Sequence, residues 1–150
     1  MAHTLETSLT LPLSRREVFA FFADPANLQL ITPPELRFRI VTPLPVLMAP
    51  GARIEYRLRL LGIPFGWKTL ISRWEPPFEF IDEQIEGPYR AWVHRHRFRK
   101  EGGATVMEDR VKYELPFYPW GEWVHFPVRK QLERIFDYRR ETVFRLLSAR

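Results

Sequence analysis

Between Phe80 and Tyr113 the sequence alternates so regularly that little except a meander of three β-strands accommodates it. Side chains along a strand point to opposite faces with a period of two. Phe80, Asp82 and Gln84 therefore share one face of the first strand. Trp92, His94, His96 and Phe98 share one face of the second, and Met107, Asp109, Val111 and Tyr113 one face of the third. The opposite faces carry Arg95, Arg97, Arg99, Arg110 and Lys112, which belong in water. Gly87-Pro88 and Gly102-Gly103 supply the turns. The inward face thus mixes large aromatics with imidazole, carboxylate and amide groups. A buried polar group left unpaired costs roughly 1–3 kcal/mol, so these groups are expected to form a network or to meet a ligand.

The flanking sequence supplies the remaining elements. Leu5, Thr7, Leu9 and Leu11 form one face of a first strand that Pro12 stops. Ser14 and Glu17 have capping-box spacing ahead of Val18, Phe19, Phe21 and Phe22, which predicts a short helix from Arg15. Asp24-Pro25 ends it and caps a second short helix over Ala26–Ile31. Leu36, Phe38 and Ile40 alternate with Arg37 and Arg39 as a second strand, and Pro43 to Gly51 is a proline-broken apolar loop. Ile54, Tyr56, Leu58 and Leu60 alternate with Arg53, Glu55, Arg57 and Arg59 as a third strand. Leu61 to Gly66 reads as a hairpin connection. Trp67 to Trp74 is a fourth strand whose two faces both mix polar and apolar residues, so its orientation is open. An aromatic-rich connection, Pro116 to Pro127, leads to a helix from Val128 whose apolar stripe is Val128, Leu132, Ile135, Phe136, Val143, Leu146 and Leu147.

One hundred and fifty residues suit one domain with a sizeable core. Cysteine is absent, which excludes disulfides, thiolate metal sites and a cysteine nucleophile. The N-terminus lacks a signal-peptide apolar stretch, and no apolar run approaches the roughly 20 residues that cross a bilayer. A soluble, cytoplasmic protein is expected. The formal net charge of +5 permits contact with nucleic acid, but the interleaved aromatics point away from the arginines, and Glu55, Glu83, Glu108 and Glu114 share the arginine face. Cross-strand Arg–Glu pairing is the expected use of that surface, and nucleic acid is not an expected partner.

The order of elements is strand, two short helices, six strands and one long C-terminal helix. It implies an α+β chain in which a curved seven-stranded antiparallel sheet wraps around the last helix, with the two short helices between strands 1 and 2. This order resembles the helix-grip superfamily of START-like and pollen-allergen-like domains, often called SRPBCC. A narrower likeness rests on Trp74-Glu75-Pro76-Pro77-Phe78, Phe80 to Gln84, Gly87-Pro88-Tyr89, Trp92, His94-Arg95-His96, Phe98, Thr105 to Asp109 and Tyr113. These are similar to a bacterial subgroup described as ligand-binding or cyclase/dehydrase-like. The resemblance implies a cavity between sheet and long helix that holds an apolar or amphipathic small molecule.

The residues lead to the same place, since a strongly curved sheet gripping a helix cannot interdigitate everywhere. The apolar lining expected is Phe19, Phe22, Phe38, Tyr56, Leu58, Phe80, Trp92, Met107, Leu132, Ile135 and Phe136. The polar points expected are Gln84, His94, His96, Asp109 and Tyr113. Carriage or sensing of a hydrophobic ligand is the leading reading. A cyclase or dehydratase would use His94 or His96 as acid–base groups, oriented by Asp109 and aided by Tyr113. A ligand-free interaction module is the third reading. No nucleophile motif or phosphate-cradling loop appears, so no cofactor is expected. His94 and His96 with Asp109 lack an evident third ligand, so no metal is expected either. The loops Pro43–Gly51 and Leu61–Gly66, with Leu44, Val46, Leu47, Met48, Ile63 and Phe65, suit a pocket mouth, a homodimer contact or a peripheral membrane contact.

Overall fold

The structure is a computed structural model and describes residues 1–149. Its strands are β1 (Ala2–Leu11), β2 (Arg39–Ile40), β3 (Arg53–Leu60), β4 (Ile63–Glu75), β5 (Glu79–Glu86), β6 (Ala91–Glu101) and β7 (Ala104–Glu114), and its α-helices are α1 (Arg15–Phe22) and α2 (His125–Ser148). The strands make one antiparallel sheet in the order β1-β7-β6-β5-β4-β3-β2. Every neighbour in sequence is a neighbour in space, except that β1 closes on β7 through ten residue pairs from Ala2↔Glu114 to Leu11↔Thr105. The helix-grip α+β architecture expected from the order of elements is present.

Local chemistry sets the ends of these elements. The Ser14 hydroxyl accepts from the Glu17 amide at 3.2 Å and donates to its carboxylate at 3.0 Å, so Ser14 is the N-cap. A cap of this kind is worth about 1 kcal/mol. All of Val18, Phe19, Phe21 and Phe22 are buried under it. The second short helix is a 3₁₀ turn over Pro25–Leu28, capped by the Asp24 carboxylate on the Ala26 amide, and a further 3₁₀ turn covers Pro34–Leu36.

That second turn corrects the reading of strand 2. Arg37 follows it in the left-handed region at φ 48°, which breaks the alternation at Leu36 and leaves only Arg39–Ile40 paired. The connection read over Leu61–Gly66 is really the two residues Leu61 and Gly62, at φ 51° and 79°. Two successive positive φ values make the tight turn whose twist matches a hairpin. Pro64 and Gly66 therefore lie within β4, opposite Arg59 and Arg57. Helix α2 starts three residues before Val128, because Pro127 in a first turn forfeits no intrahelical bond.

The orientation of β4 is settled by two bulges. Ile71 faces Asp82 and Arg73 faces Ile81, so Ser72 is an extra residue; Lys68 faces Glu86 and Thr69 faces Gln84, so Ile85 is another. A bulge resets the alternation and bends the strand. Trp67, Thr69 and Ile71 point inward before Ser72, and Trp74 points inward after it. That switch is why both faces of this strand look mixed in sequence.

The core has two parts. Phe19, Phe21, Phe22, Phe98, Met107, Val143 and Leu147 pack beneath α1, and Leu58, Trp67, Trp92, Tyr113, Leu132 and Phe136 pack beneath the middle of α2. On the outer face Arg99 pairs with Glu108, Arg73 with Glu79 and Arg110 with Glu6, the cross-strand arrangement expected there. Of the apolar loop residues, Leu44, Leu47 and Ile63 are exposed, whereas Met48 turns onto the cavity described below and Phe65 packs on the core. The connection before α2 and the helix's first turn leave Phe117, Tyr118, Trp120, Trp123 and Phe126 in solvent. No described helix is long and apolar enough to cross a membrane.

Candidate functional site

A cavity of ≈ 150 Å³ lies between the bend of the sheet and α2. Phe22 and Ile31 close it from below, Phe38, Leu58, Trp67 and Trp92 wall it from the sheet, and Leu132, Ile135 and Phe136 wall it from α2. One side is polar: Asp82 from β5, His94 and His96 from β6, and Arg139 from α2.

Strand register builds this polar side. His94 stands opposite Asp82 on β5 and Val111 on β7, while His96 stands opposite Phe80 and Asp109. The hydrogen bonds run along the diagonals. His96 Nε2–H donates to Asp82 Oδ2 at 2.5 Å, and His94 Nε2–H donates to Asp109 Oδ1 at 2.7 Å. Diagonal neighbours on a sheet are within reach of long side chains. The two imidazoles stack at 3.6 Å, and His96 stacks on Phe80 at 4.1 Å. Arg139 reaches in from the helix: its Nη2 donates to Asp109 Oδ1 at 3.3 Å and to His96 Nδ1 at 3.2 Å, and its guanidinium lies over the Phe22 ring at 4.9 Å. Both Arg139 Nε and Asp109 Oδ2 are buried without a partner.

The electrostatics follow from burial in a mixed-charge cluster. Burial alone would raise the Asp82 carboxyl, but His94, His96 and Arg139 outweigh it and hold that carboxyl below its ordinary range. Asp109 is held down as well, because Arg139 and His94 overcome the same burial. Burial, reinforced by the neighbouring His94, pushes His96 down to about 4 against the pull of Asp82. His96 is thus neutral near pH 7. On β3, burial aided by the Asp82 charge pushes up the Tyr56 hydroxyl, which pairs with the Thr69 hydroxyl at 3.1 Å.

Of the residues expected at the site, Phe22, Phe38, Tyr56, Leu58, Phe80, Trp92, His94, His96, Leu132, Ile135 and Phe136 meet the cavity. Five others are placed elsewhere. Phe19 packs in the lower core against Trp74, Phe80 and Phe98, and Met107 is fully buried beside it. Asp109 stands behind the histidines rather than on the wall. Gln84 holds both the amide and the carbonyl of Tyr89, at 3.0 and 2.6 Å. The Gly87-Pro88-Tyr89 turn closes tightly on this amide, since a Cβ at Gly87 would lie 2.5 Å from Gln84 Oε1. The Tyr113 hydroxyl is 2.9 Å from His125 Nε2, at the start of α2.

Sequence reasoning did not assign Asp82, Thr69, Trp67 or Arg139 to the wall. Asp82 had a signal, since it alternates inward between Phe80 and Gln84. Arg139 had one too: it falls three residues after Phe136 and four before Val143, in the middle of the apolar stripe.

No family model matches the sequence, and a search of curated proteins finds no match. Solved structures do match in shape. An aromatase/cyclase, Zhui, from Streptomyces sp. R1128 superposes with a TM-score of 0.77 at 13% identity, covering 96% of this chain and 92% of that one. A START superfamily protein from Mycobacterium smegmatis gives 0.69 at 14% identity, covering 96% and 99%. Ara h 8.0201 gives 0.64 at 16% identity, covering 95% and 98%. All three superpose over nearly the whole chain, and on that evidence the chain has the helix-grip α+β fold, a curved seven-stranded antiparallel sheet laid around a long C-terminal helix.

Proposed function

We propose that this protein binds a hydrophobic or amphipathic small molecule between the sheet and α2, for carriage or sensing. The observation that carries the reading is the cavity itself: ≈ 150 Å³ of space walled by aromatic and aliphatic side chains, with a polar cluster on one side only. An apolar cavity of about this size holds a benzene-sized molecule. A single ring with a short substituent fits the closed form, and a longer ligand requires the Met48 loop or α2 to move outward. Burying about 150 Å² of ligand surface gains roughly 4 kcal/mol before ordering costs, at about 25 cal/mol per Å². The neighbours titled START superfamily protein and aromatase/cyclase support the choice of a small organic ligand. Native mass spectrometry of the purified protein, with extraction of any bound molecule, tests it. A bound small molecule, or a melting temperature raised by single-ring aromatics, is expected. An empty protein that no such compound stabilises would sink the reading.

The polar cluster favours a second reading, an acid–base enzyme of the cyclase or dehydratase kind. Asp82 and His96 form a donor–acceptor pair on the cavity wall. In this reading they act on the ligand, and His94, Asp109 and Arg139 orient them. The pair replaces the His–Asp109–Tyr113 set expected from sequence, because Asp109 and Tyr113 stand off the wall. Loss of turnover in His96→Gln with ligand affinity kept within a few-fold is the expected result. Binding without turnover of any bound compound would leave carriage alone.

A further inference from the structure

We propose that Asp82, His94 and His96 are a binding site for one divalent first-row transition metal ion of the zinc class, with the remaining coordination position open to the cavity. Their ligand atoms all lie within 4.8 Å of one another. The expectation of no metal rested on the lack of an evident further ligand beside His94, His96 and Asp109; the carboxylate that converges with the two imidazoles is Asp82, one strand over.

The geometry is close to what a metal needs. Metal–nitrogen and metal–oxygen bonds of about 2.0–2.1 Å place tetrahedral ligand atoms about 3.3 Å apart. Asp82 Oδ2 is 3.8 Å from His94 Nδ1 and 2.5 Å from His96 Nε2, and all three ligand atoms lie within 4.8 Å, so the wide gaps must close and the short one open as the ion enters. His94 Nε2 lies 2.7 Å from Asp109 Oδ1, which leaves its Nδ1 on the side of Asp82. A ligating imidazole whose other nitrogen donates to a buried carboxylate is the arrangement that fixes ring orientation around metals. For His96 the same role requires its proton on Nδ1, which Asp109 Oδ1 at 3.4 Å would accept once Arg139 Nη2, now donating to that nitrogen at 3.2 Å, turns away.

Charge supports the assignment. His94 Nδ1 and Asp82 Oδ2 face each other at 3.8 Å, so a cation placed between them would meet both. The Asp82 and Asp109 carboxylates and the Arg139 guanidinium belong to the same buried cluster. Two nitrogens and one oxygen suit a transition metal better than calcium or magnesium, which take oxygen ligands. Three protein ligands with an open fourth position is the pattern of sites that present a metal to a bound molecule. The site is independent of the small-molecule reading, since an ion can bind whether or not the hollow takes an organic ligand.

The test is equilibrium dialysis of the full chain against Zn²⁺ and Co²⁺ after chelator treatment, with metal analysis and the visible spectrum of the Co²⁺ form. One equivalent per chain and the absorption of four-coordinate Co²⁺ are expected, both lost in His94→Ala and Asp82→Asn and both kept in His3→Ala. The His3 control matters because His3, His125 and Glu122 cluster at the other end of the sheet. Should the buried variants fail to fold, side-chain nitrogen NMR of the wild type decides: Zn²⁺ must move His94 and His96 and leave His3 and His125 in place. No uptake, or uptake that follows His3, overturns the proposal. Single-ring aromatics assayed in chelator by thermal shift report on the ligand reading separately.

Discussion

The two parts of the core use the same sheet and the same helix to different ends. Beneath α1 the space is filled by rings at 5–6 Å centroid separations, Phe19 against Trp74, Phe80 and Phe98, with Met107, Val143 and Leu147 at or near zero exposure. Beneath the middle of α2 the rings stand back around a hollow, and Asp82, His94, His96 and Arg139 face it. The solid half contributes close packing, which is where large-to-small changes hurt most. The hollow half holds its shape through a polar network, whose cost of assembly is recovered only when every member is present.

Substitutions can break this contrast. Phe98→Ala, in the solid half, is expected to cost about 3–5 kcal/mol in urea unfolding. Asp109→Ala should rival it at about 3–5 kcal/mol although it removes little volume, because Arg139 is left buried without its carboxylate. A small effect at Asp109 would show that the network is not what holds the hollow open. Leu58→Ala, on the hollow's wall, should cost about 2 kcal/mol, at the low end for its type, since the space it leaves joins one already there. Arg99→Ala, on the outer face, should stay within about 0.5 kcal/mol despite its bonds to Glu101 and Glu108.

Acid sharpens the same comparison. His96 binds its proton near pH 6.5 when unfolded and only near 4 when folded. The unfolded chain therefore takes up more protons across that window, and stability falls as pH drops from about 6.5 to about 4. Below it the depressed Asp82 and Asp109 carboxyls add to the loss, since their contribution is present above their unfolded values and disappears as they protonate. Urea midpoints of metal-free protein measured across pH 7 to 4 should decline, and His96→Gln should flatten the decline above pH 4. An unchanged slope in that variant would place the titration elsewhere.

Much of this was legible in the chain. β3, β6 and β7 carry unbroken alternation, so their faces follow from period alone, and the stripe on α2 needed only its spacing. The places where sequence reasoning stopped have local causes. β4 changes face at Ser72, and a one-residue bulge leaves no compositional mark. Strand 2 shrank because Arg37 takes a left-handed conformation that its residue type does not announce. Gln84 and Tyr113 were rightly placed indoors, but period two gives a face and not a partner: one ties the Tyr89 turn, the other meets His125. Arg139 lay in the stripe in plain view, yet a cation there contradicts the rule that such stripes are apolar, and only the carboxylate opposite accounts for it.

The extra residues Ser72 and Ile85 sit on facing strands of one hairpin, and each resets which side chains look inward. Removing Ser72 by a single-codon deletion would turn the end of β4 inside out and send Trp74 to solvent, whereas removing Ile85 would reset only Glu86 and the turn that follows it. Exchange of one amino acid for another at these positions would leave the bend in place. The hollow is thus robust to point substitution and vulnerable to a change in chain length of one, so a lineage could lose or acquire such a chamber in one insertion or deletion event rather than by gradual redecoration of its walls.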